Sequence, residues 1–248
     1  MTKFITLVSG KGGTGKTTTA INLAAALKSI GKETILIDAN LETPNVSLYL
    51  GMPHAQPTLN DFFKKKMDVD KIITTHASGI RFIPASLLYS EIDRLNTDNL
   101  AKLFAELEGK ADYVIIDGGA GLGKNVVSAL RHDGEVLIIT NPNRAAITDS
   151  LKIAKRTLDG DATAAGIVLN RVHDDKSELS LKEIRQIISH PIATIIPEDD
   201  NIRKAHHQGT PVIYKYPKSK ASKAYMELAC FVSGTQMPKE KGWLEWLK

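Results

Sequence analysis

Residues 3–18, KFITLVSGKGGTGKTT, limit the fold more than any other stretch of the chain. A short apolar, β-branched run leads directly into G-x-x-x-x-G-K-[ST], and a helical pattern follows, so the loop lies between strand and helix. Gly10, Gly12, Gly13 and Gly15 let the backbone curl until successive N–H groups face one centre, and a helix starting near Lys16 adds its positive end. The stretch from Gly10 through Thr18, including Thr14, is therefore expected to cradle the phosphates of a nucleotide. Lys16 is expected at the β- and γ-phosphates and Thr17 on Mg²⁺. A bare glycine turn would need neither the lysine nor the threonines. Later, DYVIIDGG ends an apolar run in Asp117, placed to hold Mg²⁺ through a water.

Apolar runs alternate with helical patterns along the rest of the chain. Strands are predicted at 3–9, 33–38, 80–85, 112–117, 135–140, 164–170 and 192–197, and helices at 16–30, 97–109, 124–131, 145–158, 180–188, 200–208 and 219–233. Near-continuous apolar strands, each followed by a helix, indicate a parallel sheet covered on both faces: an α/β, doubly wound fold. One domain is expected over residues 1–233, followed by a polar linker at 234–241 and an aromatic tail at 242–248. Composition is globular, at 42% hydrophobic and 24% charged residues in 248. No run nears the roughly 20 apolar residues that span a bilayer, and the amino terminus has no signal-peptide core, so a cytoplasmic protein is expected. The single cysteine, Cys230, excludes an internal disulfide and is expected to be a buried thiol.

An extra lysine, Lys11, directly follows Gly10, and this KGGTGKTT form resembles the deviant Walker A motif of the MinD/ParA family of dimerising ATPases. The likeness extends over nearly the whole body: LIDANLETPNVSLYLG (36–51) is similar to the family's first switch, VIIDGGAG (114–121) to its second, and TNPN (140–143) to its TNPE. VLNR (168–171) and IPEDDNIRKAHHQGTPV (196–212) resemble the segments that hold adenine and ribose. Within the family these motifs resemble archaeal and bacterial MinD more closely than ParA. The resemblance implies a P-loop ATPase that dimerises on ATP and Mg²⁺, with Lys11 reaching across the two-fold axis to the partner's nucleotide. It also implies nucleoside contacts from Asn170, Arg171, Pro197, Glu198 and Asp199, and Asp38 near the metal through a water. For Glu198 and Asp199, capping the helix near Asn201 is the alternative.

Three departures stand out. The family's first switch reads D-x-D, with the second carboxylate beside the attacking water; here Asp38 is followed by Asn40, whose amide cannot take a proton but can orient a water. Slow hydrolysis is expected, with Asp38 or Asn45 as the compensating groups. In the second switch, glycines stand where the family has a small residue and proline, and a more mobile segment is expected. Asn143 replaces the acid of TNPE. Cluster-binding branches of the family use cysteines to hold a cluster between subunits, and Cys230 sits in the wrong place to do so; the tail-anchored-protein targeting branch needs an insertion for which there is no room. His206 and His207 are expected to be solvated helix residues, because adjacent residues point about 100° apart and no further ligand has metal spacing.

The chain ends KGWLEWLK, which contains its only two tryptophans. As a helix, residues 242–248 would place Trp243, Leu244, Trp246 and Leu247 on one face. That is an interfacial amphipathic helix in miniature. Burying four such side chains at about 1.5–3 kcal/mol each, against about 1–2 kcal/mol for each ordered residue, leaves one tail marginal, whereas two tails on a dimer gain effective concentration. Carboxy-terminal helices of this kind are a feature of MinD proteins. The expected protein is thus cytoplasmic and reversibly peripheral on the inner face of the cell membrane, with lipid, a second copy of itself and an activating or cargo protein as partners. Docking of the tail on protein is the alternative. The net charge of +4 and the lysines at 64–66, 215, 218, 220 and 223 keep DNA as a second, weaker expectation, and a non-hydrolysing ATP-dependent scaffold is a third.

Overall fold

The computed structural model describes residues 1–64, 67–88, 97–120, 134–158, 163–173, 175, 177–188 and 190–237. Eight strands form one sheet in the order β3-β4-β2-β5-β1-β6-β7-β8. They are β1 (Lys3–Ser9), β2 (Thr34–Asp38), β3 (Thr74–Thr75), β4 (Arg81–Ile83), β5 (Tyr113–Ala120), β6 (Glu135–Thr140), β7 (Thr163–Val172) and β8 (Ile192–Pro197). Every pairing is parallel except β3 with β4. The doubly wound α/β class expected from the apolar runs is what the chain adopts.

The helices among the described residues are α1 (Lys16–Ser29), α2 (Val46–Tyr49), α3 (Leu59–Phe63), α4 (Val69–Ile72), α5 (Thr97–Leu107), α6 (Arg144–Leu158), α7 (Leu181–Ile187), α8 (Asp200–His207), α9 (Val212–Lys215) and α10 (Lys220–Ser233). Because strand side chains alternate between faces, the sheet builds two cores. One packs Ile5, Leu7, Leu36 and Ile115 against α1, α9 and α10. The other packs Ile35, Ile37, Val114 and Ile116 against α3, α5, α6 and α7. Local caps fix several ends: Ser180 and Glu183 form a reciprocal capping box on α7, and Gly234 closes α10 in the left-handed region at φ 68°.

Sequence and structure differ in instructive places. β5 runs past Asp117 to Ala120, where a strand end was predicted, because Gly118 has no Cβ; one placed there would lie 3.0 Å from the Leu7 carbonyl on β1. The second-switch glycines Gly118 and Gly119 thus sit within a paired strand, joined to β1 across a register shift. The strand predicted at 80–85 is cut to Arg81–Ile83, and α2, α3, α4 and α9, each a single turn or little more, fall below the length at which periodicity is readable. The helix predicted at 124–131, Lys65, Lys66 and the whole of 238–248 lie outside the described residues.

Candidate nucleotide site

β1 is central, with β5 on one side and β6 on the other, so the loop after it opens at the carboxyl edge of the sheet where chain order reverses. The parallel registers bring three positions level: Leu7 faces Asp117, and Asp117 faces Asp38. This is why residues about 80 apart in sequence share one site.

Gly13 and Gly15 adopt φ of 78° and 88°, the left-handed turn that carries the chain into α1. Gly15 is also required by space, since a Cβ there would collide with the Asn170 amide nitrogen. Loop and first switch line a cavity of about 150 Å³ bounded by Lys11 to Thr18 on one side and Asn40, Thr43, Asn45 and Tyr49 on the other.

At the floor, Lys16 Nζ lies 2.6 Å from Asp117 Oδ1 and the Thr17 hydroxyl donates to Asp117 Oδ2 at 2.6 Å. Asp38 accepts from the amides of Asn45 and Val46 at 3.0 Å each and from Asn40 at 3.2 Å. Both carboxylates are fully buried. Burial first, and then the neighbouring Asp117 charge, pushes the Asp38 carboxyl up to about 7. Two buried acids flanked by a lysine and a threonine hydroxyl are a hard-oxygen donor set short of positive charge, which suits a hydrated divalent cation such as Mg²⁺.

Asn40 is turned into its own loop. Its amide nitrogen donates to the Thr43 carbonyl at 2.7 Å and hydroxyl at 2.9 Å, and its oxygen accepts from the Thr43 amide at 3.3 Å. The Asn45 side chain also donates to the Thr43 carbonyl, at 2.8 Å. Thr43 carries no signal in the sequence; only the fold shows it tying Asn40 and Asn45 together.

At the rim of the cavity, the Lys11 side chain is 55% exposed and lies 3.4 Å from Asp149 on α6, which also pairs with Lys152. Lys152 and then Lys11 hold the Asp149 carboxyl below its ordinary range. Gly10 permits the contact, because a Cβ there would lie 2.6 Å from Asp149 Cβ. Asp149 had no signal in the sequence, where it is one acid in an amphipathic helix.

On the side where the resemblance implies nucleoside contacts, Asn170 is 2% exposed and donates to the Thr14 carbonyl at 2.7 Å, while Asn141 donates to the Asn170 carbonyl at 2.9 Å. Arg171 is the only non-glycine residue with positive φ among those described, at 59°. That turn, at a register shift between β7 and β8, aims its guanidinium at Glu198 (2.8 Å) and the Gly13 carbonyl (3.4 Å). Asp199 caps α8 through the Asn201 amide at 2.9 Å and also accepts from Ala221 at 3.2 Å, the capping alternative weighed above. Pro197 ends β8 and is half-buried. One expectation is corrected: His206 is not solvated but stacks on Tyr49, because α8 folds back beside α2. Cys230 is buried, as its apolar setting requires.

Comparison with known proteins adds to this geometry. The family model described as CobQ/CobB/MinD/ParA nucleotide binding domain matches residues 5–212. An uncharacterized ATP-binding protein of Methanocaldococcus jannaschii is 34% identical over 241 residues, covering 96% of this chain and 91% of its own length. The septum site-determining protein MinD of Pyrococcus horikoshii, solved with Mg-ADP, superposes with a TM-score of 0.86 at 30% identity, over 94% of this chain and 96% of that one. A MinC:MinD cell division complex from Aquifex aeolicus aligns with a TM-score of 0.84 at 26% identity, over 96% and 98%.

Proposed function

This chain belongs to the CobQ/CobB/MinD/ParA nucleotide-binding family, and on that premise we propose that it is a MinD-like ATPase switch, dimeric with ATP and Mg²⁺ and monomeric otherwise. The observation that carries the proposal is the pair of lysines in one loop. Lys16 sits on the buried Asp117, while Lys11 is held on the outer surface by a solvent-facing contact.

Each group has a task that follows from its place. Lys16 and Thr17, which share Asp117 here, are the groups that would exchange that contact for phosphate and metal. Bound Mg²⁺ would supply charge neutralisation at the phosphates. Gly10 to Thr18 would position the phosphates with backbone amides, Asp38 and Asp117 would hold Mg²⁺ through water, and Lys11 would stabilise charge on the partner's nucleotide as an arginine finger does. The Asn170 amide and the Arg171–Glu198 pair fix the nucleoside-side wall, with Pro197 and Asp199 shaping it.

Asn40, bound to Thr43 and lacking a carboxylate, should make unstimulated hydrolysis slow, below about one turnover per minute. Asn40→Asp should raise the rate in a phosphate-release assay; brisk wild-type turnover, or no gain in the variant, would contradict this role. In this reading residues 1–233 are the ATPase body, 234–241 the linker and 242–248 the membrane-binding tail. The protein would cycle between cytoplasm and membrane and recruit a partner there.

The test is liposome flotation with Mg·ATP or Mg·ADP, comparing the full chain with one stopped after Lys241. ATP-dependent flotation that truncation abolishes supports the switch. Flotation unchanged by truncation removes the tail's role, and ATP-dependent retention on random DNA would favour a DNA-partition function.

A further inference from the structure

The far ends of α2 and α8, about 155 residues apart, are joined by two contacts, a ring stack and a close approach of two glycine turns. Tyr49 and His206 stack with ring centroids 4.4 Å apart and planes inclined by 21°. The chain leaves each helix through a left-handed glycine, Gly51 at φ 67° and Gly209 at φ 60°, and the turns touch so closely that a Cβ on Gly209 would lie 2.9 Å from the Gly51 Cα. His76 lies beside this junction, lining one cavity with Leu50, Gly51 and Gly209. His206 Nε2 is buried without a hydrogen-bond partner, so the ring serves as a packing face.

Each helix leads to a different end of the candidate site. α2 is a single turn in which Val46 and Tyr49 lie on one side. The Val46 amide holds Asp38, and Tyr49 lines the phosphate cavity. α8 begins at its cap Asp199, next to Glu198, whose carboxylate holds Arg171. Only one helical turn separates the Val46 amide from Tyr49, and the stack joins Tyr49 to α8.

We infer that Tyr49 and His206 are positioning residues that make the phosphate-reading loop 38–46 and the nucleoside-side segment 196–209 move as one body. Discrimination between ATP and ADP then depends on a contact that touches neither Asp38 nor Arg171. The inference rests on the nucleotide-switch reading above.

A double-mutant cycle on Tyr49→Leu and His206→Ala tests it, with His206→Phe as the ring-preserving variant. In nucleotide-free protein, hydrogen exchange at the Asn45 and Val46 amides should rise about tenfold in either single variant and no further in the double. His206→Phe should stay within about twofold of wild type. The ratio of Mg·ATP to Mg·ADP affinity should fall severalfold in Tyr49→Leu and His206→Ala and hold in His206→Phe. Wild-type exchange in both single variants, additive effects, or a His206→Phe variant that behaves like His206→Ala would overturn the inference. If His206→Ala does not fold, Tyr49→Leu against His206→Phe decides it: raised exchange in the first alone supports the joint, and equal exchange overturns it. A wild-type chain that binds neither nucleotide refutes the switch reading, and exchange in the nucleotide-free protein then judges the joint on its own.

Discussion

The inner and outer halves of the phosphate loop use the same residue type in opposite settings. Lys16 is 7% exposed and lies 2.6 Å from the fully buried Asp117; Lys11 is 55% exposed and lies 3.4 Å from Asp149. Removing one partner of a buried pair strands a charge in a low dielectric, at about 3–5 kcal/mol. A solvent-facing contact is screened by water and salt and contributes little to stability. The difference teaches that the fold pairs the inner lysine with a buried acid that must not be left alone, whereas the outer one can leave Asp149 for a better anion at little cost. In the proposed switch, a loop with both kinds would bind its own nucleotide and still reach for another.

The sharpest way to break this contrast is Lys16→Ala. It should lower the melting temperature of nucleotide-free protein by roughly 10 °C and weaken ATP binding by two to three orders of magnitude, or about 3–4 kcal/mol, as read by calorimetry. A variant with wild-type stability would show that Asp117 does not need its partner.

Lys11→Ala should do the reverse. Its melting temperature should stay within about 2 °C of wild type and each subunit should still bind ATP, but ATP-driven dimers should be lost. Parallel losses in both lysine variants would erase the distinction.

A smaller effect comes from pH. With its carboxyl pushed up to about 7 by burial and by Asp117, Asp38 keeps in the folded chain a proton that the unfolded chain gives up near pH 4. The native state therefore binds more protons between about pH 4 and 7, so this contribution to stability is present at low pH and lost as pH rises through that window. Asp38→Asn should flatten that slope in denaturant titrations of the nucleotide-free protein; an unchanged slope would assign it elsewhere.

The smallest expected effect is that of Asp149→Asn, which should leave the melting temperature within about 1 °C while favouring ATP-dependent dimerisation modestly. A large loss of stability would mean that the outer contact is structural.

The loop, its lysines and the central strands were legible because each has a local signature: glycines where the backbone must curl, a lysine and threonines at the helix start, apolar runs for a doubly covered sheet. Asp117 was legible because it ends such a run. What could not be read depends on neighbours remote in sequence. Asp149 meets Lys11 only because α6 follows β6 beside β1, and His206 reads as surface until α8 folds against Tyr49. Gly118 admits the Leu7 carbonyl into close contact, a demand for glycine that only the pairing of β5 with β1 explains. Asn170, for which the resemblance implies a nucleoside contact, also donates to the Thr14 carbonyl at 2.7 Å, a contact that requires the third dimension.

The central claim is that ATP turns one subunit into two through Lys11. Sedimentation of the full chain with Mg·ATP and with Mg·ADP tests it most directly. The account predicts a dimer with ATP, a monomer with ADP, and a monomer with either nucleotide for Lys11→Ala. A wild-type chain that sediments identically with both nucleotides, or a Lys11→Ala variant that still dimerises on ATP, would contradict it.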